Sequence, residues 1–211
     1  MPGLLTNAER SYHFDVRQFH RMMAAGIFED QKVELVAGKI YAMTDLPPHT
    51  FAVGRLHEAL RPVLPRDGWT IREEKPILIG RYWAPKPDIA VLRRSDAIYA
   101  ARHPRPRDGA LLVEVSDTTY HRDRGRKWRR YAAAGIPTYL IVHLKGPDTL
   151  IEVWTGPTGR GRVAHYMDVV RYSARAGESV PIELDGSEHG LIAVINLVAR
   201  QALRLSGKAG P

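Results

Sequence analysis

The sequence predicts an α/β domain, and three observations carry that prediction. Ala110 to Val115 is a continuous apolar run of strand length, as expected of a strand buried on both faces. Thr138 to His143 is a second such run. The residues between them read as a helix, so the two strands are joined by a helical crossover and lie parallel.

Taken in order, Asp15 caps a helix from Val16 to about Ala25, with Phe19, Met22 and Met23 at helical spacing and Gly26 as its stop. Lys32 to Val36 and Lys39 to Met43 alternate with period two around Ala37-Gly38, which predicts a β-hairpin at one edge of a sheet. After Leu46-Pro47-Pro48, a helix from His49 to about Val63 places Phe51, Leu56, Leu60 and Val63 on one face. Trp69 to Glu74 and Ile77 to Gly80 read as short strands separated by Pro76, and Pro87 to Leu92 as an apolar strand entered through Asp88. Residues 93 to 109, rich in arginine and proline, read as a mobile surface connection. A helix starts at Thr118 or Thr119 and continues to about Ala134, where Gly135 ends it and Pro137 blocks its continuation. Leu150 to Trp154 is a further strand, and from Gly156 onward the chain reads as turns and short strands.

A length of 211 residues suits one domain with a full core, here residues 1–205, with a disordered tail over 206–211. The 44% apolar and 26% charged content is ordinary for a soluble globular protein. The absence of cysteine removes disulfides, thiolate metal sites and cysteine nucleophiles together, so any metal must be held by oxygen or imidazole. The N-terminal residues lack the basic and apolar regions of a leader. No segment approaches the roughly 20 apolar residues of a membrane span, so a soluble, cytoplasmic protein is expected.

The net charge of +8 favours an anionic partner, most commonly nucleic acid. Between Arg102 and Arg130, nine Lys or Arg residues face four Asp or Glu, which concentrates the excess in this segment. The bland alternative is composition, since arginine outnumbers lysine 24 to 7.

The same segment holds the chemistry. Glu114 interrupts Leu112-Val113-Glu114-Val115, where a buried carboxylate costs several kcal/mol unless a cation receives it. Asp88 stands at a strand entry fixed by Pro87; taken by itself it reads as a turn or cap acid. Lys127 lies four residues after Asp123 and four before Tyr131, so the three share a helical face. The bland alternative there is a solvated Asp123–Lys127 pair of only ~0.3 to 0.5 kcal/mol. Two acids and a lysine from consecutive elements are the parts needed to hold a hard divalent cation and hydrolyse a phosphodiester.

Two other motifs carry less. Gly156-Pro157-Thr158-Gly159-Arg160-Gly161 lacks the Gly-Lys-Ser/Thr of a phosphate loop and reads as a hairpin turn. His57-Glu58 begins like a zinc-protease helix, but Arg61 stands where the second histidine belongs.

Pro87-Asp88 on one strand and Glu114 on the next resemble the PD-(D/E)xK nuclease superfamily. More closely, the chain is similar to the Uma-type restriction endonuclease family. The resemblance runs through Val33 to Ile40, Pro48-His49, Lys86 to Val91, Leu112 to Thr119, Asp123 to Tyr131 and Ala134 to Val142. It implies a restriction-endonuclease-like mixed sheet flanked by helices in a single domain. It also implies Mg²⁺ or Mn²⁺ held by Asp88, Glu114 and the carbonyl of Val115, with Lys127 orienting the attacking water or neutralising developing charge.

Ser116 departs from the pattern, because it occupies the lysine position of Glu-x-Lys; the family resemblance moves that lysine to the following helix, at Lys127. Glu34, His49, Ser116, Asp123 and Tyr131 become candidates to support the site, with helix capping the alternative for His49. Arg122, Arg124, Arg126, Arg129 and Arg130 become candidates for binding DNA. A symmetric pair of copies is the arrangement by which a single-site nuclease cuts both strands.

Three readings compete. The first is a metal-dependent DNA endonuclease. The second is a nucleic-acid-binding module that keeps the fold without the chemistry, as Ser116 would allow. The third is a structural protein in which Glu114 is paired internally. Asp88 and Glu114 on opposite faces of the sheet would exclude the first.

Overall fold

A computed structural model describes residues 11–29, 31–43, 46–116, 121, 123–145 and 148–197. Arg122, the expected helix start at Thr118 or Thr119 and the tail over 206–211 lie outside these residues.

The centre is a six-stranded sheet of β3 (Trp69–Glu73), β4 (Ile89–Arg93), β5 (Gly109–Ser116), β6 (Thr138–His143), β7 (Leu150–Thr158) and β8 (His165–Ser173), side by side in that order. The β5–β6 pair is parallel and every other pair is antiparallel, so the sheet is mixed and the expected parallel crossover is present. Every residue of β5 is buried, as its apolar run requires.

Each face of this sheet carries its own core. On one face α2 (Pro47–Val63) lays Ala52, Val53, Leu56 and Leu60 against Val91, Val113 and Val142, together with Val180, Ile182 and Leu184 of β9 (Ser179–Leu184). β9 pairs with β10 (Ser187–Ala193) in a separate two-stranded sheet. On the other face α3 (Trp128–Ala133) packs Tyr131 and Ala132 against Ala90, Leu112, Tyr139 and Ile141. Because side chains alternate along a strand, Asp88, Glu114 and Ser116 continue the α3 face.

Several elements differ from expectation. The buried stripe of α2 runs through Ala52, Val53, Leu56 and Leu60 and leaves Phe51 exposed, and the helix starts at Pro47, two residues earlier than expected. Ile77 to Gly80 is not a strand. Ile77 and Ile79 are buried, but their N–H groups donate to the carbonyls of Pro85 and Trp83 in a closed loop. Residues 93–109 are anchored by two 3₁₀ turns, with Tyr99 and Asp108 buried and Asp108 bonded to Arg102 through both oxygens.

The expected single helix ending near Ala134 is a π-helical turn, Asp123–Lys127, running into the short α3. The stop is as expected, with Gly135 at φ +74 in the conformation that only glycine adopts without strain. The hairpin of β1 (Val33–Val36) and β2 (Lys39–Ala42) turns through Ala37 and Gly38, both at positive φ. It forms its own two-stranded sheet rather than an edge of the large one, docked on α1 (Val16–Ala24) and joined to the body by the Leu35–Ala84 bridge. The Gly156–Gly161 segment completes the β7–β8 hairpin, with β7 extending to Thr158.

Candidate active site

Asp88 and Glu114 are brought together by strand register. β4 and β5 pair with Ile89 opposite Val113, and one step further along that register sets Asp88 opposite Glu114. Residues directly opposite in an antiparallel pair project from the same face. Both carboxylates are nearly inaccessible, at 4% and 3% exposure. The N–H of Val115 donates to Oδ2 of Asp88 at 2.5 Å, which ties the entry of one strand to the exit of the other.

Lys127 arrives from the π-helical turn. Its Nζ donates to Oε2 of Glu114 at 2.9 Å, lies 3.1 Å from Oε2 of Glu34 and reaches within 4.0 Å of Oδ1 of Asp123. A π turn widens the helix by one residue per turn, and here the unusual geometry coincides with the residues that carry charge. The other oxygen of Glu114 accepts from the Tyr131 hydroxyl at 2.8 Å, so both of its oxygens are held.

The supporting candidates converge on the same place. Glu34 comes from β1 and also accepts from the N–H of Lys86 at 3.1 Å. His49, in the first turn of α2, sets Nε2 3.2 Å from Oδ2 of Asp88. Ser116 donates its hydroxyl to Oδ2 of Asp123 at 2.8 Å, so it anchors an acid. Tyr139 was not anticipated from sequence. Its hydroxyl donates to the main-chain carbonyl of Asp123 at 3.1 Å, and its ring packs edge-on against Tyr131.

Among the described residues, three buried carboxylates, Glu34, Glu114 and Asp123, thus lie within 4.0 Å of the ammonium of Lys127, with a fourth, Asp88, beside Glu114. Burial raises the pKa of Glu114 well above the carboxylate range; Lys127 opposes this, while Asp123, Asp88 and Glu34 reinforce it. The same acids raise the pKa of Lys127 although burial acts against its charge, so it stays cationic. Burial, and then the nearby Glu114, lifts Tyr131 and Tyr139, which remain neutral donors.

The arrangement fits a hard divalent cation by charge, since buried acids outnumber the one ammonium among them, and by ligand type, since the donors are oxygens. Among the described residues no three His, Asp or Glu side chains are grouped to hold a metal by themselves. A metal would therefore draw further ligands from main-chain oxygen, water or substrate phosphate, as magnesium commonly does.

The arginines are less uniform. Arg124, Arg126 and Arg129 are exposed, and Arg126 donates to the Tyr41 hydroxyl at 3.1 Å. Arg130 is turned inward, donating to the carbonyl of Ile79 with its guanidinium 5.6 Å from the Trp83 ring centre. No helix among the described residues is long and apolar enough to cross a membrane.

Known proteins resemble this chain in sequence and in fold. The family described as "Uma2: Putative restriction endonuclease" matches residues 16–181. The solved structure of "a putative nuclease belonging to DUF820" from Anabaena variabilis superposes with a TM-score of 0.53 at 14% identity, over 78% of this chain and 88% of that one. At that identity the likeness shows the fold. A comparison with curated proteins finds no match.

Proposed function

This chain belongs to the Uma2 family of restriction-endonuclease-like proteins, and from that premise we propose that it is a metal-dependent endonuclease hydrolysing phosphodiester bonds of DNA. The observation that carries the reading is the meeting of Asp88, Glu114 and Lys127 at one buried point, supplied by two neighbouring strands and a helical turn. The pairing of Glu114 with Lys127 satisfies the structural alternative for those two residues. It leaves Glu34, Asp88 and Asp123 in the same pocket unexplained. A buried ion pair that serves packing needs one acid.

Asp88, Glu114 and the carbonyl of Val115 are the groups that would hold Mg²⁺ or Mn²⁺. Bound there, the ion would supply Lewis-acid stabilisation of charge on the scissile phosphate and a more acidic water. Tyr131 and Lys127 fix both oxygens of Glu114, so the carboxylate is oriented before substrate arrives. Lys127 presents a permanent positive charge to the phosphate as water attacks in line with the departing sugar oxygen. Glu34 holds Lys127 from the opposite side, and His49 holds Asp88. Lys127 thereby takes the role that Ser116 cannot, which favours an active enzyme over a binding module without chemistry. The proposal includes a symmetric pair of copies for double-strand cleavage and a place of work in the cytoplasm.

Supercoiled plasmid incubated with purified protein and Mg²⁺ or Mn²⁺ tests the reading. Wild type should nick it and Glu114→Gln should not. Equal nicking by both would identify a contaminant and remove the proposal.

A further inference from the structure

Glu152 is a second lone acid on an apolar strand, and no step above uses it. It is 3% exposed, within β7. Register places it on the same face as Glu114. Glu114 pairs with Ile141 of β6, Ile141 with Glu152, and Glu152 with Arg171 of β8. At about 4.8 Å between strands, Glu152 stands roughly 10 Å from Glu114 across the sheet.

Its two oxygens serve four groups. Oε1 accepts from Nε of Arg171 at 3.0 Å. Oε2 accepts from the Trp154 indole at 3.1 Å, and lies 3.5 Å from Nε of Arg124 and 3.7 Å from Nε2 of His143. The Arg124 guanidinium also sits 5.4 Å from the centre of the Trp154 ring. Burial pushes the Glu152 carboxyl up, but His143, Arg124 and Arg171 outweigh it and lower it to about 2, so it is an anion at any working pH.

The carboxylate is inside and the guanidiniums are at the surface, with the side chains of Arg124 and Arg171 42% and 50% exposed. Each faces Glu152 through Nε, the edge of the guanidinium away from the fork of terminal nitrogens that matches a phosphate. A polyanion approaching the carboxylates around Lys127 is repelled unless fixed cations nearby hold it. Two arginines organised by one acid provide a net positive charge two strands away. His143, opposite Ser116 in register, lies between the two groups.

We infer that Glu152 is a positioning residue for a phosphate-binding subsite formed by Arg124 and Arg171, which grips the DNA backbone beside the bond cut at Asp88, Glu114 and Lys127. The inference rests on the nuclease reading. Its sign separates it from bulk electrostatics. Glu152→Gln raises the net charge by one, which would ordinarily tighten DNA binding. Loss of the organiser instead loosens it.

Fluorescence anisotropy with a labelled DNA duplex, in EDTA and again in Ca²⁺, tests this across a salt series. Glu152→Gln should weaken binding about tenfold, the scale of one charge-assisted hydrogen bond. Arg124→Ala and Arg171→Ala should each weaken it and lower the salt slope by about one, as loss of a phosphate contact does. Arg17→Ala, an equal loss of charge on α1, should do neither. Under Mg²⁺, Glu152→Gln should raise KM and leave kcat within a few-fold, with its melting curve showing a folded protein.

Binding by Glu152→Gln as tight as wild type, or tighter, would overturn the inference. So would arginine variants that behave like Arg17→Ala, and these exposed positions decide the matter if Glu152→Gln does not fold. Wild type that binds DNA, with all variants alike, removes the subsite and leaves the nuclease reading standing. Wild type that binds no DNA under any condition removes both.

Discussion

The Nζ of Lys127 lies 2.9 Å from Oε2 of Glu114, on the other side of a helical connection, and supplies there the positive charge that Ser116 does not. Strand β5 and the π-helical turn are thus coupled by charge as well as by packing. Lys127→Met should leave three buried acids, Glu34, Glu114 and Asp123, without their ammonium. The expected loss is about 3–5 kcal/mol of stability at neutral pH, as for other buried pairs broken on one side. The loss should shrink as pH falls and Glu114 protonates. Urea unfolding of both proteins at several pH values measures this; a penalty independent of pH would contradict it.

Glu114 also sets a pH dependence in the wild type. Its folded-state pKa is raised, so the folded state binds the proton more tightly than the unfolded chain. The contribution to stability is fully present below the ordinary glutamate value and is lost as pH rises through the folded value. Replacing Glu114 with Gln should therefore flatten the stability profile on the alkaline side of that ordinary value. An unchanged profile would show that the acid is not buried as described.

Tyr131→Phe removes the hydroxyl that holds Oε1 of Glu114 at 2.8 Å and leaves the ring packing intact. Leaving a buried acceptor without its donor costs about 1–3 kcal/mol, and that loss should appear in the denaturation midpoint. Cleavage should fall as well, because Glu114 gains a rotamer. Unaltered stability and rate would place the tyrosine outside the site.

Ser116→Ala separates the two positions at which a superfamily lysine could stand. Ser116 anchors Asp123, so its loss should cost about 1–3 kcal/mol and leave cleavage within a few-fold of wild type. Cleavage abolished by Ser116→Ala in a folded protein would mean that the hydroxyl has a role beyond holding Asp123.

Much of this geometry is legible in the sequence where one residue contradicts its neighbours. Glu114 is conspicuous because Leu112, Val113 and Val115 give an acid no reason to be there, and β5 with its parallel partner β6 follows from apolar runs of strand length. Glu152 carries the same signal between Ile151 and Val153, and it is readable once that rule is applied to every strand. Contacts between distant segments are not legible in this way. Glu34 reaches Lys127 because a small separate hairpin docks through the Leu35–Ala84 bridge, and His49 reaches Asp88 from the start of α2. The π turn is hidden too: Gly125 marks a weak point in the helical pattern, but composition does not say that a residue is inserted there. Ile77 to Gly80 is not a strand for a related reason: the N–H groups of Ile77 and Ile79 are taken within their own loop, at Pro85 and Trp83, and that of Leu78 by the carbonyl of Pro104.

The most direct test of the site is the single-turnover cleavage rate of Lys127→Met with saturating Mn²⁺ and plasmid DNA, set beside wild type. With the cation at Lys127 stabilising the transition state, the rate should fall by about 10²- to 10³-fold, the scale on which one preorganised electrostatic donor acts. A folded Lys127→Met protein that cuts within a few-fold of wild type would contradict the assignment of Lys127 and, with it, the account of how this chain does without a lysine at Ser116.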